Sequence, residues 1–285
     1  LDPDTVTLRG ACSGNQRVGG FVITSTPQTP KGYVGGTVKD GLDPEQLAEV
    51  VASADGCQLL KRPRYTCDPG CESGSVCNSD GECQKMARTQ SLGPVTLRGL
   101  GAPLELKPKV PGNAYFQETP RVPAAGAPLE LTTTEGYAGE TALYGLGVAP
   151  LELTVGFWVL RADKPLLVRW AAPPQGSRTR IRVELSVDQH GTTPIALACD
   201  WDDDGEGSVP KDLVAQLLEA GVTGFPSGTV TRFTADSVKV PSGCMDLLVS
   251  SSESPAVQVS GYTPCTSTNQ CPKDQICNTQ LERCE

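Results

Sequence analysis

Four cysteines fall within seventeen residues at 67–83, CDPGCESGSVCNSDGEC, and a single aliphatic side chain, Val76, stands among them. Such a stretch has almost nothing apolar to bury, so covalent links must hold it. A second cluster at 265–284, CTSTNQCPKDQICNTQLERC, repeats the device, and in both the third cysteine precedes Asn. Cys67, Cys71, Cys77 and Cys83 therefore read as one disulfide clip. Cys265, Cys271, Cys277 and Cys284 read as another. Zinc is the rival partner for so many thiols, but its sites use C-x2-C pairs or recruit histidine. The only histidine, His190, is far from both clusters in sequence.

The cysteines number twelve in all. An even count in this pattern belongs to an oxidising compartment, so the expected location is extracellular or on the outer cell surface. Elimination pairs Cys12 with Cys57 and Cys199 with Cys244, among the many connectivities that such a set allows. No apolar stretch is long enough to span a bilayer, and LDPDTVTLRG is no signal peptide. The expectation is a chain numbered from behind a removed leader, with room for a lipid anchor upstream.

Net charge is −9, with 24 Lys and Arg against 33 Asp and Glu, and no basic run occurs. That argues against nucleic acid as a partner and leaves an electrostatic membrane-surface role without support. Glycine (31) and proline (24) are frequent, which favours short strands and turns over long helices.

Along the chain, residues 1–66 read as a small α+β unit. Strand-like alternation at 6–9, 17–25 and 33–39 precedes a predicted helix opened by Asp43 and Pro44 and continued through EQLAEVVASA. The first clip occupies 67–84 and a polar linker 85–93. Residues 94–262 carry strand patterns at the spacing of an antiparallel β-sandwich, and the second clip fills 263–285. VTLRG occurs at 6–10 and again at 95–99, and PLEL occurs three times, at 103, 128 and 150. The shared pentapeptide predicts similar strand surroundings. The clearest strand lies within 178–187, where Ile181, Val183, Leu185 and Val187 alternate with polar residues. One helix, KDLVAQLLEA from Lys211, interrupts the strands and stops at Gly221. The fold class is thus mainly β.

The chain resembles large secreted or lipoprotein ectodomains of myxobacteria. The residues that carry the likeness are the CxPGCxxGxVCxxxGxC clip at 67–83, the VTLRGL strand at 95–100, VAPLEL at 148–153, DQHG at 188–191, and the cysteine with acidic patch at 199–204. The clips are also similar to those of EGF-like modules. The resemblance implies an exported, surface-associated bacterial protein and carries over no active site.

The strongest candidate for chemistry is the acidic loop DWDDDGE at 200–206. Asp200, Asp202, Asp204 and Glu206 alternate around a glycine, which is how a calcium loop aims hard oxygens at one point. Calcium is the one cofactor considered; Lys211 stands where a closing Glu would be expected. The bland reading is a solvated turn capping the next helix. Trp201 is the tryptophan placed to touch a ligand, against the alternative of a loop anchor. His190 lacks a nucleophile in any recognised setting, so it reads as a turn residue. Three functions follow. The first is a non-catalytic structural or interaction protein of the cell surface that self-associates or binds another surface protein. The second is a calcium-assisted glycan- or protein-binding module. The third is a hydrolase using paired carboxylates.

Overall fold

The computed structural model describes residues 2–25, 31–42, 44, 47–188 and 195–285. Strands β1 (Arg17–Ser25) and β2 (Gly32–Lys39) pair antiparallel. Strands β3 (Glu49–Ala54) and β4 (Cys57–Lys61) form a hairpin where a helix was expected. The reason lies in Asp55 and Gly56, whose φ values of 48° and 75° make the two-residue turn that matches strand twist. β-branched Val50 and Val51 then suit a strand. Asp43, Glu45 and Gln46 lie outside the described residues.

Strands β5 (Ser75–Cys77) and β6 (Cys83–Lys85) build the first clip, and β7 (Thr89–Gln90) extends the edge beside β2. The expected linker is therefore partly structured, with Leu92 fully buried. Next come β8 (Val95–Arg98), β9 (Leu104–Leu106), β10 (Tyr115–Thr119), β11 (Pro128–Thr133) and β12 (Thr141–Leu146). Four of these make a separate antiparallel sheet ordered β12-β11-β8-β9, whereas β10 joins β2. Then follow β13 (Phe157–Leu160), β14 (Leu166–Arg169), β15 (Arg180–Ser186), β16 (Ile195–Asp202) and β17 (Glu206–Val209). Helix α1 (Lys211–Glu219) lies where its pattern predicts it. The chain continues through β18 (Ser227–Val240), β19 (Gly243–Glu253) and β20 (Ala256–Val259), and β21 (Cys277–Asn278) with β22 (Arg283–Cys284) closes the second clip.

The main sheet runs β10-β2-β1-β19-β18-β15-β16-β4-β3, antiparallel except for the β1–β19 pair along this path. Residues 1–66 are thus no separate α+β unit. β1 and β2 attach through β19, whereas β3 and β4 attach through β16. One face of this sheet carries two hydrophobic cores. Phe21, Ile23, Val34, Leu247 and Val249 meet Leu97, Leu129, Leu131 and Leu143 of the small sheet in one. In the other, Leu59, Val183, Leu185 and Leu197 meet Leu213, Val214 and Leu217 of α1, with Trp158 and Val168. The opposite face, where Tyr33, Phe116, Arg180 and Glu184 alternate with core residues, stays largely open to solvent. No helix among the described residues is long and apolar enough to cross a membrane.

Both clips pair internally, as Cys67–Cys77 with Cys71–Cys83 and Cys265–Cys277 with Cys271–Cys284. The four remaining cysteines pair as Cys12–Cys244 and Cys57–Cys199, which corrects the pairing by elimination. Register decides it: Cys57 on β4 lies directly opposite Cys199 on β16. Cys244, at the start of β19, donates its backbone N–H to Gln16 and so sits beside the N-terminal segment. Burial differs sharply among the bridges, since Cys57 and Cys199 are each 1% exposed, whereas Cys83 is exposed and Cys71, Cys271 and Cys284 are half-buried. Thiolate exchange requires access. Pulsed alkylation during a reductant titration should therefore label Cys71 and Cys83 before Cys57 and Cys199, as read by peptide mass spectrometry.

Candidate functional site

The acidic loop joins β16 to β17, with Gly205 at φ 110° making the reversal. Pairing of β16 with β15 sets Asp200 opposite Arg182 and Asp202 opposite Arg180. Arg180 donates through Nε to Asp200 and through Nη1 to Asp202 at 2.7 Å, and Arg182 approaches Asp200 at 3.5 Å. Burial alone would lower the Arg180 pKa, but its two carboxylates outweigh this and raise it. Glu206 lies opposite Arg169 at 3.4 Å, and Asp204 accepts the Glu206 backbone N–H at 3.5 Å.

The alternating set Asp200, Asp202, Asp204 and Glu206 does not form an oxygen cage. Three of its members already face arginines, which oppose a cation. Among the described residues, the groups of three or more metal-ligating side chains within 4.8 Å of one another are cysteines of the two clips. Those sulfurs are bound in disulfides. The donor set therefore does not fit calcium in this arrangement. The loop also does not cap α1, whose N-cap is Pro210 without a side-chain hydrogen bond.

The loop residue that matters most to packing is the one the alternation skips. Asp203 turns inward and accepts from Arg232 Nε at 2.6 Å, Trp170 Nε1 at 2.7 Å and Thr179 Oγ1 at 2.7 Å. Arg232 also donates to the Pro150 carbonyl at 2.9 Å and to that of Ala171. The two side chains are 1% and 2% exposed, so the pair is fully enclosed. A sequence signal for it exists: Val230, Arg232, Thr234 and Asp236 share one strand face, and that face begins apolar. Trp201 lies with Ile181 on the covered face, stacks against Trp170 at 6.3 Å between ring centroids, and donates Nε1–H to the Asp55 carbonyl at 3.0 Å. A Cβ on Gly207 would come within 2.3 Å of the Trp201 ring, so only glycine admits that ring here. The geometry gives Trp201 an anchoring place. His190 lies outside the described residues.

A second polar station lies further along β18. Asp236 accepts from the Arg9 backbone N–H at 2.9 Å, Arg9 Nη2 at 2.7 Å and the Tyr144 backbone N–H at 2.8 Å. Residues 6–9 are thereby held without strand pairing, contrary to the strand expected there. Burial alone would raise the Asp236 pKa, but the Arg9 and Tyr144 hydrogen bonds outweigh it and hold the carboxyl below its usual value.

Three outcomes follow for stability. Arg232→Met strands a buried carboxylate and should lose about 3–5 kcal/mol in urea unfolding. Arg180→Gln, at an exposed pair, should lose about 1 kcal/mol or less. For Asp236 the lowered folded pKa means its contribution is complete above the ordinary carboxylate range and disappears as pH falls through the lowered value. Unfolding midpoints measured from about pH 5 down to about pH 2 should show a shallower acid limb in Asp236→Asn than in the parent.

Compared with models of known protein families and with curated proteins, the chain matches none.

Proposed function

We propose that the chain is an extracellular, non-catalytic structural or interaction protein that associates through the two ends of its main sheet. The observation that carries this reading is the character of those ends. Strand β10 closes one end and β3 the other, each with a strand on one side only among the described residues. Both present large apolar side chains to solvent. Phe116 on β10 is 54% exposed and stacks on Tyr33 of β2, and Val50 on β3 is 53% exposed beside Val51. Proteins that remain monomeric usually blunt such edges with charge, proline or bulges. Here β3 carries a bulge between Val50 and Ala52, which limits regular strand addition and leaves the side chains as the contact. Six disulfides leave no free cysteine among the described residues and support an oxidising, extracellular setting.

Because the two ends differ, contact between them is head-to-tail, and such contacts grow open chains unless a rotation closes them. Light scattering with negative-stain electron microscopy should show mass rising with concentration. Either Phe116→Lys or Val50→Lys alone should cap growth. A parent protein that stays monomeric to on the order of 100 µM would remove this reading.

A further inference from the structure

Strand β15 begins at Arg180, opposite Phe233, whereas β18 runs on to Val240. Along 234–240, β18 therefore has β19 on one side and no strand on the other among the described residues. The N-terminal segment crosses this gap in place of a strand. It is held by Arg9 on Asp236, by the Cys12–Cys244 bridge, and by Arg178, which donates to the carbonyls of Val6 at 2.7 Å and Pro3 at 3.0 Å. The segment makes no ladder with β18, and a cleft of about 670 Å³ is lined by residues 4–12 together with β15 and β18 side chains. That volume lies in the range of sites that take small organic molecules, roughly 300–1,000 Å³.

The walls of the cleft differ in chemistry. The apolar lining is half-buried Leu8 with Phe233 and Ala235, 5% and 8% exposed, and the charged lining is Arg178, Arg180 and Arg182, three guanidiniums at alternate positions of one chain segment. Asp4 and Asp200 are the acids of the lining. Asp200 is shared between Arg180 and Arg182, with Arg182 at 3.5 Å. The partners of Arg178 are two neutral carbonyls. Arg182 is held over the Phe233 ring at 4.8 Å and is 35% exposed, so its donors are oriented yet reachable. A guanidinium fixed in this way donates paired N–H bonds to a planar carboxylate.

We propose that this cleft is a binding site for a small organic carboxylate bearing an apolar ring or chain. The carboxylate would take donors of Arg182 and Arg178, and the apolar body would lie against Leu8 and the small part of Phe233 and Ala235 that Arg182 leaves open. The proposal is independent of association at the sheet ends, because Phe116 and Val50 do not line the cleft.

The test is a titration of the full chain with phenylacetate, followed by calorimetry and amide chemical shifts. Saturable one-to-one binding with shifts centred on Leu8, Arg182 and Phe233 is the expected result. Acetate, lacking the apolar body, and benzyl alcohol, lacking the charge, should each bind at least about tenfold more weakly. Arg182→Gln and, separately, Leu8→Asp should each weaken phenylacetate by about tenfold or more, with circular dichroism reporting that the fold is kept. Absence of saturation at tens of millimolar phenylacetate would overturn the proposal. So would equal binding of acetate, or unchanged affinity in folded forms of both variants.

Discussion

The inward face of β18 is what the two halves of the molecule have in common. Val230 belongs to the core that α1 covers, Arg232 grips Asp203 and the carbonyl of Pro150, Thr234 bonds Leu146, and Asp236 bonds Tyr144 and Arg9. Four residues on one strand thus reach the helix layer, the loop before β17, the small sheet and the N-terminal segment in turn. An apolar stripe would have merged the two cores into one layer free to slide. Directional bonds at a low-dielectric seam specify instead where each cover sits. Their value lies in fixing position more than in net energy, because enclosing the Arg232–Asp203 pair incurs its own desolvation cost.

This seam also accounts for the acidic loop. Its outward carboxylates form a ladder with arginines of β14 and β15, and its one inward carboxylate joins the sheet to the cover. The loop is acidic because three strands bring arginines to it, from Arg169, Arg180 and Arg232. A calcium loop and an arginine-neutralised turn have the same local alternation; only the neighbours across the sheet distinguish them.

Much of the fold was legible from local pattern. The alternation around Ile181 and Val183 marks β15, and the stripe Leu213, Leu217 marks α1. The clips were legible because short spacings leave few partners. What failed depended on distant residues or on a competing turn. EQLAEVVASA has helical spacing, yet the Asp55–Gly56 reversal brings β4 back along Glu49–Ala54 and makes that stretch a strand. VTLRG is the sharpest instance. At 95–98 it is β8, paired on both sides. At 6–10 the same five residues form no strand: Arg9 is taken by Asp236, and no strand among the described residues pairs with them. The long-range bridges were illegible for the same reason: nothing local says that β4 lies against β16.

Those two bridges are nested. The ring closed by Cys57–Cys199 lies wholly inside the chain length closed by Cys12–Cys244. A single backbone cut between residues 12 and 244 therefore cannot release a fragment, since both pieces remain joined through sulfur. Outside that span, the second clip has crossed bridges of its own at 265–277 and 271–284. A protein built in this way can be nicked by proteases along most of its length and still remain one covalent object. Its durability is then a matter of connectivity as well as of folding free energy.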